Sequence, residues 1–383
     1  MKNRAIKYRI YPTERQMQLL SKTFGCCRFV YNQMLSVQKE LYDTKKQHLS
    51  KYDLYNYISR NLKAQYPFLQ DVDSLALRHS ASDLDRAYSG YFEKRTGFPH
   101  FKKKHHTSQS YQTDCIGANI EILKCGLKLP KLGFVKASLH RIPPTTWIIK
   151  SASISLTSNG KYYASVLFAF DEVVQPITTI KKSNCIGLDY KSNGFAITSN
   201  NVCLGSPKYY QNSHAKLAKA QRILSSKTPG SKNYEKQLFR VNTIQEHIAN
   251  QRKDYLHKLS CEISNQYDVV CVENLNMRAI SNAGFGIGKV TMDNGYGMFL
   301  NFLEYKLNDR GKYFIKVDKW YPSSQICCKC GNIHKLALSE RTYKCPICGN
   351  EIDRDYQAAI NILREGLRML PIEELKKVQS KVA

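Results

Sequence analysis

Residues 327–355 read CCKCGNIHKLALSERTYKCPICGNEIDRD and contain two CxxC pairs. The paired cysteines are Cys327, Cys330, Cys345 and Cys348. Two intervening residues allow both thiolates of a pair to bind one ion, and two such pairs complete a tetrahedral shell for Zn²⁺. Gly331 and Gly349 follow the pairs and permit the tight turn that each pair requires. The sequence therefore predicts a zinc site in this stretch.

Other interpretations of these cysteines explain less of the pattern. Two coincidental pairs of buried thiols would leave both glycines unexplained, and a redox function needs only one pair in a thioredoxin-like setting. Zn²⁺ held by four thiolates has no open coordination position, so we expect a structural ion. Chemistry must then come from other residues, and the stretch runs directly into Asp353 and Asp355.

The charge balance of the chain points to its partners. Its 383 residues include 58 Lys and Arg against 31 Asp and Glu, which gives a net charge of +27. Such an excess is typical of proteins that bind a polyanion, either nucleic acid or an anionic membrane surface. No apolar run approaches the roughly 20 residues of a membrane span, and the first residues lack the apolar core of a signal peptide. We therefore expect an intracellular nucleic-acid-binding protein without a membrane partner.

The first half of the chain combines strands with a block of helices. Residues 5–11 alternate between apolar and polar side chains, as a half-buried strand does, and Thr13 with Gln16 predicts a capping box. Helical periodicity then continues to Phe92, with a break expected at Gly25. Strands follow, including a hairpin whose Asn159-Gly160 turn is predicted to be type I′. Because the first strand has no local partner, we expect it to join this later sheet, with the helices inserted in a β-barrel.

A basic loop follows the helices. Lys102, Lys103 and Lys104 are consecutive and are flanked by His, Ser and Tyr, a composition suited to phosphate contacts. Arg78, on the preceding helix, is a further candidate for nucleic-acid contact. A merely solvated run of charge is the alternative, and the overall positive charge favours the binding interpretation.

The second half has the element order of an RNase H-like α/β fold. From Ser183 onward the sequence predicts three strands, a helical stretch, a strand, a helix, a strand and a final helix, in that order. In that layout the first strand, the end of the fourth strand and the last helix meet. Those three places are occupied by Asp189, Glu273 and Asp355. Asp353 is an alternative to Asp355; if Asp355 is the third carboxylate, we expect Asp353 to cap the helix.

Three convergent carboxylates have a chemical implication. They repel one another unless cations neutralise them, so the cluster implies divalent metal. Two Mg²⁺ ions at such a site support in-line cleavage of a phosphodiester. Each carboxylate taken alone would be better explained by a surface or capping role.

Several motifs of the chain together resemble the TnpB family of insertion-sequence proteins, compact RNA-guided DNA nucleases related to type V CRISPR effectors. In the second half they are GLDY (187–190), VENLNM (272–277), WYPSSQICCKCG (320–331), YKCPICG (343–349) and DRDYQAAINIL (353–363). In the first half they are KYRIYPTERQ (7–16), LDRAYSGYF (84–92), FPHFKKKH (98–105) and LPKLGFVK (129–136). The resemblance covers nearly the whole chain.

The resemblance implies a multidomain α+β architecture. It consists of a wedge-like β-barrel (1–12 and 110–182), an inserted helical recognition domain (13–109), a RuvC nuclease domain (183–323 and 353–370), a zinc-ribbon insert (324–352) and a tail (371–383). Asp189, Glu273 and Asp355 are the implied nuclease triad. Two departures are Gln357, where the family usually has Asn, and DYKSN after the first strand, where a glycine-bearing version is commoner.

The implied activity is Mg²⁺-dependent cleavage of double-stranded DNA, directed by an RNA from the element, beside a short motif that the protein reads. We expect a cytoplasmic, nucleoid-associated prokaryotic protein, active as a monomer with its guide RNA. Two other functions remain open at this stage. One is a guided DNA-binding repressor without nuclease activity, and the other is an unguided DNA-binding accessory protein of transposition.

Overall fold

The computed structural model of the chain describes residues 1–104, 109–177, 179–282, 288–337 and 340–370, and the backbone of residues 378–379. The chain forms two compact units, Met1–Glu172 and Val173–Ala383. The predicted multidomain, mixed α and β character is therefore confirmed, whereas the finer domain boundaries stay a prediction. Within the described part, no helix combines the length and the apolar character needed to cross a membrane.

The first unit contains one sheet and a block of helices. Its elements are β1 (Lys2–Tyr11), α1 (Glu14–Lys45), α2 (Lys51–Tyr57), α3 (Lys63–Gln65), α4 (Ser74–Phe92), β2 (Gln109–Asp114), β3 (Glu121–Leu123), β4 (Gly126–Leu129), β5 (Gly133–Ser138), β6 (Ile148–Leu156) and β7 (Tyr162–Phe170). A π-helical segment, Ile58–Leu62, joins α2 to α3.

The sheet of the first unit has the strand order β2-β6-β7-β1-β5-β4-β3. β1 pairs antiparallel with β7 and β5, which confirms that the first strand joins the later sheet. Its buried residues Ile6, Tyr8 and Ile10 alternate with exposed ones, as the sequence pattern predicts. Among the described residues no pairing closes the sheet between β2 and β3, so the predicted β-barrel is not confirmed.

Two local predictions for the helices have different outcomes. The capping box is confirmed, because Thr13 Oγ1 accepts a hydrogen bond from Gln16 N and Gln16 Oε1 accepts one from Thr13 N. The break at Gly25 is wrong, because α1 runs through it to Lys45. One glycine costs a helix only about 1 kcal/mol, and the buried face of α1 continues on both sides of it.

The hairpin of β6 and β7 does not close with the predicted type I′ turn. That turn requires positive φ at both central residues, but only Gly160 of the pair has one, at +73°. Instead Gly160 N donates to Thr157 O at 3.0 Å and Thr157 N donates to Lys161 O at 2.9 Å. The side chain of Thr157 reinforces this longer loop by accepting a hydrogen bond from Lys161 N at 3.0 Å.

The second unit is built on a five-stranded sheet. Its elements are β8 (Ile180–Lys181), β9 (Cys185–Tyr190), β10 (Ala196–Thr198), β11 (Cys203–Leu204), α5 (Tyr209–Ser225), α6 (Lys232–Gln266), β12 (Val269–Glu273), α7 (Met277–Ile280), α8 (Gly288–Asn294), α9 (Tyr296–Asn308), β13 (Tyr313–Val317), β14 (Thr342–Lys344), β15 (Glu351–Asp353), α10 (Arg354–Arg368) and β16 (Val378–Gln379). The strand order is β11-β10-β9-β12-β13, with β9, β12 and β13 parallel. The predicted succession of strands and helices is confirmed.

Both faces of this sheet are covered. Alternate residues of β9 and β12, such as Leu188 and Val270, pack against α6 and α9 on one face. Their neighbours, such as Cys271, pack with Ile362 of α10 on the other face. A strand buried on both sides needs a continuous apolar sequence, which is what CIGL and VVCV provide.

Two glycines allow α10 to lie close to the sheet. A Cβ added at Gly187 of β9 would collide with the backbone carbonyl of Ala359, and one at Gly366 of α10 would collide with the side chain of Cys271. Backbone atoms cannot move aside as a flexible side chain can. The distance of α10 from β9 and β12 therefore depends on the absence of these two side chains.

The tail at 371–383 lies outside the described residues except for the backbone of Val378–Gln379, which pairs parallel with β8. For the glycine-rich stretch 283–297, a mobile lid is a further hypothesis from the sequence. Residues 283–287 lie outside the described part, and most of the remainder forms α8 and the start of α9.

Replacing Gly187 with Ala is expected to lower the free energy of unfolding by about 1–3 kcal/mol or more, because the added methyl group must displace α10. Urea denaturation of the full chain measures this change. Gly205→Ala is the matched control, since a Cβ there meets nothing within 4 Å, and it should change stability by less than about 1 kcal/mol. Equal effects of the two substitutions would contradict the close packing of α10.

Candidate active site and zinc site

Three carboxylates of the second unit line one cavity of about 430 Å³. Asp189 lies near the end of β9, Glu273 is the last residue of β12, and Asp355 lies in the first turn of α10. Lys319 and Trp320 line the same cavity. The structure thus brings together the three residues that the sequence places at two strand ends and one helix start.

Strand register explains this convergence. β9 and β12 are parallel, and Leu188 pairs with Val272, so Asp189 and Glu273 follow paired residues at the same edge of the sheet. Glu273 itself is opposite Val317 of β13. α10 begins beside this edge and contributes the third carboxylate. Parallel strands present their carboxyl ends together, which is why such edges collect functional residues.

Burial and mutual repulsion act most strongly on Asp189. Its pKa is raised well above the usual range, first by burial and then by the charges of Glu273 and Asp355. Burial also raises the pKa of Glu273. Beside them the buried hydroxyl of Tyr296 has no hydrogen-bond partner among the described residues. These oxygen donors, which are costly to ionise together, fit a divalent cation that would neutralise them.

Asp355 differs because it has two basic partners. Lys191 Nζ lies 3.0 Å from Asp355 Oδ2, and Arg354 donates to Oδ1 at 3.3 Å. Burial alone would raise the pKa of Asp355, but the hydrogen bond from Lys191 and the two positive charges outweigh it and lower the pKa. The cavity therefore holds one readily ionised carboxylate beside two that retain their protons more strongly.

The structure distinguishes the two aspartates that precede α10. Asp353 is exposed and caps the helix, accepting a hydrogen bond from Tyr356 N at 2.9 Å. Asp355 is only 8% exposed and lines the cavity with Asp189 and Glu273. Geometry therefore favours Asp355 as the third carboxylate. Its role, like those of Asp189 and Glu273, stays a prediction.

The four paired cysteines form a compact cluster. Their sulfur atoms all lie within 4.8 Å of one another. The sulfur atoms are 3.6 Å apart in Cys327 and Cys348 and 3.5 Å apart in Cys330 and Cys345. Four Zn–S bonds of about 2.3 Å in a tetrahedron require sulfur separations only slightly larger. The residues present therefore fit a four-thiolate zinc ion.

The two halves of this cluster have the same backbone geometry. Gly331 N donates to Cys327 O at 2.9 Å, and Gly349 N donates to Cys345 O at 3.1 Å. The two glycines have positive φ values of +76° and +65°, a conformation in which a side chain is strained. Each glycine thus closes the turn that brings its pair of cysteines together.

The cysteine segment is joined to α10 by polar contacts. Cys328, which lies outside the cluster of four, donates its N–H to Gln357 Oε1 at 3.4 Å, and Arg364 donates to its carbonyl oxygen. Asn361 Nδ2 donates to Ser323 O at 2.8 Å and to Ile326 O at 2.6 Å. The helix that carries Asp355 is therefore tied to the proposed zinc segment. Gln357, one of the two departures from the family pattern, makes one of these ties.

The sequence-based candidates for nucleic-acid contact lie in the first unit. Lys102 has a structural role: its ammonium lies 4.0 Å from the centre of the Tyr31 ring, and its backbone N–H donates to Asn32 Oδ1 at 2.8 Å. Lys103, Lys104 and Arg78 are exposed. Lys102 is therefore the weakest candidate of the four, and residues 105–108 of the same loop lie outside the described part.

Three features of the site were missed by sequence reasoning. Lys191 was noted only as part of the unusual DYKSN segment, and its position two residues after Asp189 was the available signal. Trp320 stands first in the motif WYPSSQICCKCG, but nothing in the motif indicates its place beside the carboxylates. Tyr296 gave no signal, because which aromatic residues approach a carboxylate depends on the fold.

Three family models match parts of the chain. One is described as "Helix-turn-helix domain" and matches residues 1–47, another as "Probable transposase" and matches residues 171–283, and the third as "Cas12f1-like, TNB domain" and matches residues 296–362. In the first of these segments the chain forms β1 followed by one uninterrupted helix, α1.

Two relatives extend over nearly the whole chain. A protein of Streptomyces pristinaespiralis named "Putative RNA-guided DNA endonuclease" is 30% identical over 371 residues, which cover 95% of this chain and 89% of that protein. A protein of Escherichia coli K12 named "Putative RNA-guided DNA endonuclease InsQ" is 29% identical over 387 residues, which cover 97% of this chain and 94% of that protein.

The fold also resembles a solved structure described as "Cryo-EM structure of the Cas12f1-sgRNA-target DNA complex". The TM-score is 0.58 at 13% identity, and the match covers 94% of this chain and 98% of that chain. At this identity the likeness concerns the fold alone.

Replacing Cys345 with Ser is expected to abolish stoichiometric zinc binding and to lower the melting temperature, because three thiolates do not complete the shell. Metal analysis of the purified protein should find about one zinc per wild-type chain and much less in the variant. Cys328→Ser is the matched control, since Cys328 lies outside the cluster and should leave zinc content unchanged. Full zinc content in the Cys345 variant would refute the four-cysteine assignment.

Proposed function

The chain belongs to the TnpB family, and on that basis we propose that it is an RNA-guided DNA endonuclease whose nuclease site is formed by Asp189, Glu273 and Asp355. The supporting observation is the convergence of these three carboxylates in one cavity of a basic chain. The full-length relatives whose names describe RNA-guided DNA endonucleases support the same conclusion.

Asp189, Glu273 and Asp355 would hold the catalytic cations. Two bound Mg²⁺ ions would supply activation of the attacking water and charge stabilisation of the leaving oxygen at a phosphodiester. The donor set suits them, because all three residues offer carboxylate oxygens and two of them have raised pKa values without a cation. Bound cations would lower the raised pKa values of Asp189 and Glu273, whereas the pKa of Asp355 is lowered by Lys191 and Arg354 without them.

Lys191 and Arg354 have a supporting role in this proposal. Both contact Asp355, and Arg354 contributes with Lys191 to lowering its pKa. They hold the third carboxylate ionised and oriented toward the cavity. Lys191, whose side chain is 31% exposed, also keeps a positive charge beside Asp355.

Guide RNA and double-stranded DNA are the proposed partners. The net charge of +27 suits two polyanions. Basic residues outnumber acidic ones by eleven to three between Lys208 and Lys258, a stretch that includes α5 and most of α6. In the first unit Arg78, Lys103 and Lys104 are the proposed contacts to the duplex that carries the protein-read motif.

The domain assignment belongs to the same proposal. It comprises a wedge domain (1–12 and 110–182), a helical recognition domain (13–109), a RuvC domain of RNase H-like fold (183–323 and 353–370), a zinc ribbon (324–352) and a tail (371–383). The wedge would be an open form of the predicted barrel.

Asp355→Asn is expected to reduce cleavage of matched DNA by at least about 100-fold, because an amide cannot supply the anionic ligand. Asp353→Asn is the matched control: Asn also caps helices well, so this variant should cleave at nearly the wild-type rate. The assay uses the full chain purified with its copurifying RNA and a duplex that contains the sequence complementary to that RNA.

The same preparation separates the competing functions. Asp189→Ala should lose cleavage and retain a discrete copurifying RNA. Undiminished cutting by Asp189→Ala would refute the assigned site, a wild-type protein that binds matched DNA without cutting would indicate a guided repressor, and absence of a discrete RNA would indicate an unguided DNA-binding protein.

A further inference from the structure

A large aromatic side chain stands exposed in the carboxylate cavity. Trp320 is 79% exposed, although it lines the same cavity as Asp189, Glu273 and Asp355. Burying a side chain of this size contributes more to stability than burying almost any other. An indole left in solvent at a site of chemistry therefore indicates that its face is kept for a ligand.

The other tryptophan of the chain shows the usual arrangement. Trp147 stacks on Phe170 with ring centroids 4.1 Å apart and an angle of 5° between the planes. Its indole face is thus covered by another ring of the first unit. Trp320 differs from it in exposure and in its position beside the carboxylates.

A fixed turn holds the backbone of Trp320. Asp318 Oδ1 accepts a hydrogen bond from Trp320 N at 2.8 Å, and Asp318 O accepts one from Tyr321 N at 3.1 Å. The turn directly follows β13, whose Val317 is paired with Glu273 and accepts a hydrogen bond from Asn274 N at 2.9 Å. Trp320 is therefore positioned from the same strand pair that positions Glu273.

The surroundings of the ring identify the kind of ligand. Lys319 Nζ lies 4.8 Å from the centre of the Trp320 ring, which places a positive charge next to a flat apolar surface. Carboxylates that would hold cations line the same cavity. A nucleotide matches all three features, since its base stacks on aromatic rings, its phosphate attracts ammonium groups, and its phosphodiester is the bond to be cut.

We propose that Trp320 stacks on an unpaired base of the nucleic-acid strand that enters the carboxylate cavity, and so positions that strand for cleavage. The base must be unpaired and unstacked, because in a duplex both faces of each base are covered by neighbouring base pairs. Trp320 is a positioning residue: it contacts a base and not the reacting phosphodiester. This inference rests on the proposed nuclease function.

Fluorescence tests the stacking without any cleavage. Because the chain has two tryptophans, Trp147→Phe leaves Trp320 as the only indole, and Asp189→Asn in the same chain prevents cutting. A thymidine oligodeoxynucleotide should quench this fluorescence, an abasic strand of the same length should not, and a blunt duplex should quench much less. Equal quenching by the abasic strand, or none by the oligonucleotide, would overturn the proposal. An RNA oligonucleotide of matched length shows whether the Trp320 ring prefers the bases of DNA or those of RNA.

Kinetics test the positioning role in the RNA-loaded chain. Stacking on one base is lost in Trp320→Ala, so KM for a matched single-stranded DNA should rise about 5- to 100-fold while kcat changes little. Trp320→Phe should restore most of the loss. Ile347→Ala, which removes an equally exposed apolar side chain (73%) from the cysteine segment, should leave KM unchanged.

The outcomes separate this inference from the nuclease proposal. Unchanged KM in Trp320→Ala, or a fall in kcat alone, would overturn the stacking role while leaving the nuclease site intact. Quenching by single strands in a protein that never cuts DNA would support the stacking role and refute the nuclease proposal. Quenching by an apolar peptide but not by oligonucleotides would identify the ring as a protein-docking surface and overturn the inference.

Discussion

The burial of carboxylates at one edge of the sheet, together with the repulsion that Asp189 meets there, is the constraint on which the second unit depends. Asp189 and Glu273 stand at one edge of a parallel sheet, and their raised pKa values show the cost of bringing charge there. Asp355 joins them because α10 lies close to β9 and β12, which Gly187 and Gly366 permit. Such an arrangement opposes folding and is retained where function requires it. The sheet, the glycines and the helix all serve to hold these three groups together.

The cysteine segment and the carboxylate cluster have different roles: the first is structural, and the second is the proposed site of chemistry. Four thiolates would close the coordination of a zinc ion, which leaves no position for substrate. The role of the cysteine segment is structural, since the backbone of Cys328 and Ile326 is hydrogen-bonded to polar side chains of α10, the helix whose first turn contains Asp355. Because Gln357 and Asn361 make these contacts from inside the helix, a folded cysteine segment fixes the third carboxylate. Residues 327–355 therefore do not form a single metal site. Their cysteine segment supports α10 and, through it, the carboxylate site.

The sequence predicts where the strands end better than it predicts features that depend on tertiary packing. Asp189 and Glu273 follow short, continuous apolar runs, the pattern of a strand that is covered on both faces. The choice between Asp353 and Asp355 depends on which one caps α10, which a spacing of two residues does not decide. The turn at Gly160 and the open sheet of the first unit depend on the pairing of distant strands. The exposure of Trp320 likewise follows from tertiary structure alone.

Thermal unfolding with and without Mg²⁺ tests the account most directly. The raised pKa of Asp189 means that the protonated carboxyl favours the folded state, and this stability is lost as pH rises through that pKa. Mg²⁺ should therefore raise the melting temperature by a few degrees at alkaline pH, where Asp189 is ionised, and by less at acidic pH, where protons compete with the cation. Asp189→Asn should weaken this pH dependence, since Glu273 is then the one carboxylate of the three with a raised pKa, and should melt higher than wild type without metal. Equal Mg²⁺ effects at both pH values, unchanged in Asp189→Asn, would contradict the account.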